Sequence, residues 1–351
     1  MKKLLIVLLI CFVLAMAFLP QPTFNAAERG FYLWLEVVLP ALLPFFICCE
    51  LLLSLGAMDS LGKALNGVMR PLFNLPGAAS LAIVMGYTSG FPTGATVCAS
   101  LRSQGLISKN EGERLLAFTN NAGPLFILIS IATGILQTPQ AGPLILFVHY
   151  GVNLLLGIIL GRLSPSSGCP PSSSRLLRQT MPSKQPIGRL LKEAAKKSGV
   201  NIAVIGCYMI FFSVVAELTT HCLHFPALLC GAFLEMTLGV NAVSETGLSL
   251  PLQIALAGAI ISFGGLCVQS QVAAMVADTD LSVKTYLLCR LFHAAAAFIV
   301  LYVLSKGLSL TVCTGAVTPP LSAFILYNWG LALTIGLLTL FASLLSRRTS
   351  A

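Results

Sequence analysis

Charge is what this sequence has least of. Acidic and basic side chains make up 9% of its 351 residues, where soluble domains carry roughly 25%. Too few exist to cover a water-exposed surface. With 56% hydrophobic residues and a mean hydropathy of +0.90, the chain reads as an all-α polytopic membrane protein. Other absences narrow the function. No Gly-x-x-x-x-Gly-Lys-Ser/Thr loop is present to cradle a triphosphate, so the chain by itself is no primary pump. No His-Glu-x-x-His, no nucleophile elbow and no cluster of paired carboxylates appears, so no enzyme is expected. The eleven cysteines include no Cys-x-x-Cys pair, and buried cysteine behaves as a small hydrophobe. Neither a disulfide framework nor a cofactor is expected. His221, Cys222 and His224 lack a fourth ligand and read as interfacial polar residues rather than a metal site.

The net charge of +9 does not point to nucleic acid, because the bases are not interleaved with aromatics. Eight of them fall between Arg162 and Lys197, opposed by Glu193 alone. That asymmetry marks a cytoplasmic loop. Residues 164–186 are rich in Ser and Pro and cannot bury a core; 189–197 read as a basic amphipathic surface helix. The sequence thus divides into a first membrane half (1–163), a basic linker (164–198) and a second membrane half (199–351). About 8–10 hydrophobic segments are expected. The first half offers an uncleaved span over 4–19, a span over 33–55 bent by Pro40 and Pro44, and an interfacial helix over 58–77. Broken segments over 78–100 and 113–136 and a span over 143–161 follow. The second half offers 199–218, 225–243, 251–277, 286–304 and 321–345.

Charge counting places the N-terminus, the linker and the C-terminus in the cytoplasm if 78–100 and 251–277 enter and return as re-entrant hairpins. These two suggest an internal duplication, a habit of transporters. A shift of 175 positions aligns Gly90 with Gly265, Leu106 with Leu281 and Lys109 with Lys284.

The two broken segments of the first half read Gly86-Tyr87-Thr88-Ser89-Gly90-Phe91-Pro92-Thr93-Gly94 and Thr119-Asn120-Asn121-Ala122-Gly123-Pro124-Leu125-Phe126. Pro92 and Pro124 remove backbone donors, and the glycines admit conformations closed to other residues. Unwound backbone at membrane depth survives only where protein buries it or where it lines a polar cavity. Such paired interruptions point to a transporter's substrate site. Against this, Gly86, Gly90 and Gly94 form two overlapping Gly-x-x-x-Gly patterns, which also serve helix packing.

The chain resembles the YlbJ-type family of sporulation integral membrane proteins, also called stage V sporulation protein SpoVV, within the wider nucleoside-recognition (Gate) group. The resemblance rests on Leu39-Pro40-Ala41-Leu42-Leu43-Pro44-Phe45-Phe46, Arg70-Pro71-Leu72-Phe73-Asn74-Leu75-Pro76-Gly77, Ser89-Gly90-Phe91-Pro92-Thr93-Gly94, Glu113-Arg114-Leu115-Leu116 and Asn120-Asn121-Ala122-Gly123-Pro124-Leu125-Phe126-Ile127. It spans almost the whole chain; Ala122 stands where a small hydroxyl residue is expected. It implies a role in endospore formation, in the outer membrane around the forespore, moving dipicolinic acid toward the spore for cortex maturation. It also implies the re-entrant hairpins and discontinuous helices of concentrative nucleoside transporters.

Dipicolinate is a planar dianion, so its site needs hydrogen-bond donors and a positive field. Helix N-termini supply both. Ser89, Thr93, Thr119, Asn120 and Asn121 offer donors, Gly90, Gly94 and Gly123 let backbone approach, and Phe91 offers a stacking face. The second half adds Gly265 with Gln269, Ser270 and Gln271. Arg290, on one helical face with His293, is placed to neutralise a carboxylate or to pair with Glu235; Glu235 is the candidate for proton coupling. His149, Glu36 and Glu217 read as interfacial. The expected function is a carrier for a small heteroaromatic anion, with the bilayer, a coupling ion (H+ or Na+) and other sporulation membrane proteins as partners. The alternatives are a non-transporting scaffold for the spore envelope and a nucleoside transporter.

Overall fold

A computed structural model describes residues 2–55, 65, 67–124, 126–164, 186–223 and 226–307. Most of the linker, part of the 58–77 segment, His224 and the 321–345 span lie outside these residues. Every element among the described residues is helical. Among the described residues, four helices are long and apolar enough to cross a membrane, or six when each bent pair counts as one.

The peripheral part is built from α1 (Lys2–Phe18), α2 (Pro20–Leu33), α3 (Leu39–Ser54) and α9 (Ile187–Leu223). The chain bends by 102° between α1 and α2, where Pro20 opens the new helix at a position that needs no amide donor. The expected bend at Pro40 takes the form of a wide π-type turn over Trp34–Val38, closed by the Leu39 amide on the Trp34 carbonyl. Pro40 has no amide to donate, and the register widens just before it. The surface helix and span expected at 189–197 and 199–218 prove to be one 37-residue helix, α9. Its buried residues Leu190, Ala194, Ser198, Ile202 and Ile205 keep helical spacing from the basic end into the apolar end. Nothing in that stretch stops a helix: Gly199 stands alone and no proline intervenes.

The inner part repeats one three-piece unit. In the first unit a helical hairpin, α4 (Ser80–Thr88) and α5 (Thr93–Ser103), turns through residues 89–92. A broken span follows, α6 (Lys109–Thr119) and the π-type α7 (Phe126–Ile135). A continuous 23-residue span, α8 (Ala141–Leu163), completes it. In the second unit the hairpin is α10 (Ala227–Leu234) and α11 (Met236–Ser244). The broken span is α12 (Leu250–Phe263) and α13 (Gly265–Val276), and the continuous span is the 23-residue α14 (Lys284–Lys306).

Both hairpins close on glycine. A Cβ on Gly86 would come within 3.4 Å of the Gly94 Cα, and one on Gly231 would overlap the backbone at Gly239. Side chains at these positions would force the arms apart. The packing reading of the Gly86, Gly90 and Gly94 pattern therefore holds for two of its residues, and the helix interruption for the third. Gly86 and Gly94 pack, while Gly90 makes the turn at φ +85°, a left-handed value that favours glycine.

One expectation is corrected. Segment 251–277 is broken, but it is no hairpin: α12 and α13 run on as one 27-residue span from Leu250 to Val276. The second hairpin lies instead at 227–244, inside what reads in sequence as the simple span 225–243. The repeat therefore relates α8 to α14, whose starts at 141 and 284 are 143 positions apart, rather than 175. In sequence Glu235 hides the second turn, since it brings neither Gly nor Pro to the tip.

Candidate functional site

The helix breaks meet. Gly90 at the first hairpin turn lies against the first broken span, where a Cβ would sit 2.6 Å from the Gly123 amide nitrogen. Gly265, at φ +68° in the second broken span, lies against the second hairpin tip, where a Cβ would fall 3.1 Å from the Leu234 carbonyl oxygen. The two pairs touch through Phe91, whose ring ends 3.6 Å from where a Cβ on Gly264 would stand. Ser89, Gly90, Phe91, Thr93, Gly94, Thr119, Asn120, Asn121, Gly123 and Gly265 are thus brought together as the sequence predicts.

Their polar atoms divide into two groups. Most are consumed within the protein. The Asn120 side chain ties the two elements: its Oδ1 accepts from the Ala95 amide at 2.9 Å, capping the first turn of α5, and its Nδ2 donates to the Leu116 carbonyl at 2.9 Å. Thr119 donates to the Leu115 carbonyl at 2.8 Å, and its own carbonyl is wedged between Gly86 and Gly94. Asn121 Oδ1 accepts from Asn153 Nδ2 at 2.6 Å. Thr119, Asn120 and Asn121 therefore shape the breaks rather than present free donors. The second group is small. The hydroxyls of Ser89 and Thr93, at the two ends of the hairpin turn, are buried and have no hydrogen-bond partner among the described residues.

Of the two parts expected of Arg290, the pairing with Glu235 is not found. Arg290 is fully buried on α14, donating from Nη1 to the Asn120 carbonyl at 2.8 Å and from Nη2 to the Ala117 carbonyl at 2.9 Å and Asn153 Oδ1 at 2.6 Å. It caps the C-terminal end of α6, where carbonyls lack helical partners and the helix dipole favours a cation. It forms no ion pair with Glu235; among the described residues no carboxylate pairs with it. Glu235 is the N-cap of α11, accepting from the Leu238 amide at 2.9 Å. Its carboxylate fastens the second hairpin tip. Gln269 donates weakly to the Phe263 carbonyl at 3.4 Å, Gln271 to the Cys267 sulfur at 3.3 Å, and Ser270 is half-buried on the same helix.

The interfacial reading of His149 is overturned. It is fully buried and bridges the two broken spans: the Ala122 amide donates to its Nε2 at 3.2 Å, and its Nδ1 lies 2.8 Å from the Ser262 hydroxyl, two residues before Gly264. A backbone amide can only donate, so Nε2 carries no proton and Nδ1–H donates to Ser262. His293 Nε2 in turn donates to the His149 carbonyl at 2.8 Å. Asn153, one turn on from His149, joins Arg290, Asn121 and the Phe118 carbonyl. Sequence reasoning overlooked Asn153 and Ser262. The signal was there in part: His149 and Asn153 stand four apart on an apolar helix, hence on one face.

The loop after α13 is clasped by the last turn of α5 and by α6. Arg102 holds both Asp280 oxygens, at 2.8 and 3.0 Å, and the Ser282 amide donates to Glu113 Oε1 at 2.9 Å. Arg102 keeps the Asp280 carboxyl below the usual carboxylate range. The pair is exposed, so its weight is small and salt-sensitive. Its contribution is present above the ordinary aspartate pKa of about 3.9 and is lost as pH falls through the lower folded value. In chemical unfolding, Asp280→Asn should therefore trail the wild type slightly at pH 7 in low salt and match it at the acid end. An equal deficit at both ends of the pH range would show that the charge is not what matters.

Residues 35–122 match the Gate family, described as nucleoside recognition; the match begins near α3 and ends on the first break. Over 323 residues the chain is 34% identical to the sporulation integral membrane protein YlbJ of Bacillus subtilis (strain 168), covering 82% of this chain and 79% of that protein. An uncharacterized protein of Alkalihalophilus pseudofirmus is 30% identical over 99 residues, 27% of this chain and 21% of that one. No solved structure matches.

Proposed function

From the premise that this chain belongs to the family of the YlbJ sporulation integral membrane protein, we propose that it carries a small planar carboxylate anion, dipicolinate foremost, across the membrane without chemical change. One observation carries the reading: buried, unpartnered hydroxyls on Ser89 and Thr93 stand at the meeting point of broken helices. Buried polar groups are normally satisfied, and here the missing partner is a passing solute. Arg290 supports an anion over a neutral nucleoside. It sets a buried positive charge behind the break with no carboxylate paired to it among the described residues, and unpaired buried charge is costly until a counter-charge arrives. Phe91 supplies the flat apolar face that a heteroaromatic ring would take. The relative's sporulation name supports a role in the membrane around the forespore, and the charge asymmetry supports a cytoplasmic N-terminus, linker and C-terminus. The domain division at 1–163, 164–198 and 199–351 is kept as part of this proposal.

The test is uptake of labelled dipicolinate and, separately, uridine into proteoliposomes, under imposed H+ or Na+ gradients that identify the driving ion. Saturable dipicolinate uptake is expected. Because the two hydroxyls hold nothing else, Ser89→Ala and Thr93→Val should leave thermal stability near wild type and cut uptake about tenfold each, the worth of one hydrogen bond to a charged group. Uridine uptake in place of dipicolinate would keep the site and replace the substrate. No uptake of either by folded protein would favour a scaffold.

A further inference from the structure

Beside the meeting point of the breaks, α3, α5 and α9 line a narrow cleft with a cavity volume of only about 20 Å3. Thr93, Thr96 and Ser100 line its α5 wall, with Glu50 of α3 and Asn201 of α9 also lining it. Positions 93, 96 and 100 fall on one helical face, so three hydroxyls form a ladder about 10 Å long at 1.5 Å per residue. The ladder starts at the hairpin break with the unpartnered, buried hydroxyl of Thr93. On the α3 wall of the same cleft Glu50 is held by Lys197, Oε2 to Nζ, at 2.8 Å.

The two members of that ion pair are unequally exposed: the Lys197 side chain is 53% accessible and Glu50 only 12%. An approaching solute therefore meets the cation first. Arg189, Lys192 and Lys196 are exposed on the same end of α9, with Glu193 as the single opposing charge. A cationic rim of this kind raises the local concentration of anions. Half-exposed ion pairs are weak, so Lys197 can exchange one carboxylate for another at little cost. The cleft is narrow and admits a solute only when its walls part.

Resting on the transport function proposed above, we infer that this cleft is the path by which a small carboxylate anion reaches the hairpin break. Lys197 is its receiving cation, and Glu50 is the carboxylate that occupies Lys197 when no anion is there. The anion displaces Glu50, then passes along the hydroxyls of Ser100 and Thr96 to Thr93. Glu50 re-forms its pair behind it.

The test does not depend on knowing the solute. Ser100→Cys in the purified full-length chain is treated with an anionic (sulfonatoethyl) and a cationic (trimethylammonioethyl) methanethiosulfonate, and modification is resolved from the buried native Cys98 by fragment mass. Relative to their rates with a free thiol, the anionic reagent should win at low salt, by up to about fivefold for each unit of unbalanced charge near the thiol in water-like surroundings. Lys197→Met should abolish the preference, and Glu50→Gln, which frees Lys197, should enlarge it. An introduced thiol inert to both reagents, or a preference indifferent to Lys197→Met, overturns the inference. Dipicolinate uptake separates this from the parent reading. Wild-type uptake unaffected by Lys197→Met at low substrate leaves transport standing and removes the path. Anion-preferring labelling with no wild-type uptake supports the path and removes the transport reading.

Discussion

Replacing Gly94 by alanine should unseat the first hairpin from the first broken span, at a cost of about 3 kcal/mol, the upper end of ordinary overpacking. A Cβ there would overlap the Thr119 carbonyl oxygen and stand 3.1 Å from Asn120 Oδ1; one on Gly86 would overlap the same carbonyl from the other arm. Backbone on both sides leaves no side chain to rotate out of the way, so relief requires moving α4 or α5 bodily. The Ala95 amide would then lose its cap on Asn120. The expected readout is a large drop in the melting temperature of detergent-solubilised protein for Gly86→Ala and Gly94→Ala alike. Gly151→Ala is the control. Nothing lies within 4 Å of a Cβ there, and alanine is the better helix former by up to about 1 kcal/mol. Equal stability of Gly94→Ala and Gly151→Ala would mean that the hairpin is not seated as described.

Arg290→Ala should cost still more, about 3–5 kcal/mol, because it strands the Ala117 and Asn120 carbonyls and Asn153 Oδ1 at roughly 1–3 kcal/mol each before relaxation. Arg290→Lys is the discriminating variant. Lysine keeps the charge but lacks the planar fork that reaches separate acceptors at once. It should recover only a minor part of the stability and little of the uptake. If lysine restored both, the residue would be acting as a point charge on a solute and not as the cap of α6. Asn153→Leu should reproduce part of the loss while sparing the two carbonyl bonds, which apportions the network by a double-mutant cycle.

Much of this protein is legible in its sequence. The scarcity of charge fixes the membrane class, because no other solvent tolerates such a surface. The interruptions at Ser89–Thr93 and Thr119–Gly123 stand out because Gly and Pro have local, context-free effects on backbone. Those residues do gather at one place. The second hairpin is not legible, because its tip is a glutamate whose carboxylate caps α11. That capping is a property of three-dimensional placement, and in sequence Glu235 reads only as a charge inside an apolar run. The sequence also marks Asn120, Asn121 and Arg290 as polar groups at membrane depth without saying whom they serve. Tertiary structure decides this by distance: Ala95 and Arg290, 25 and 170 positions from Asn120, close on its side chain and carbonyl. Among the residues of the first hairpin turn and first break, it leaves the hydroxyls of Ser89 and Thr93 without a partner in the described residues. Composition and local breakers thus determine that polar, interrupted segments lie within the apolar runs. Which donors remain free is decided only where helices distant in sequence use up the others, since every buried polar group must find a partner.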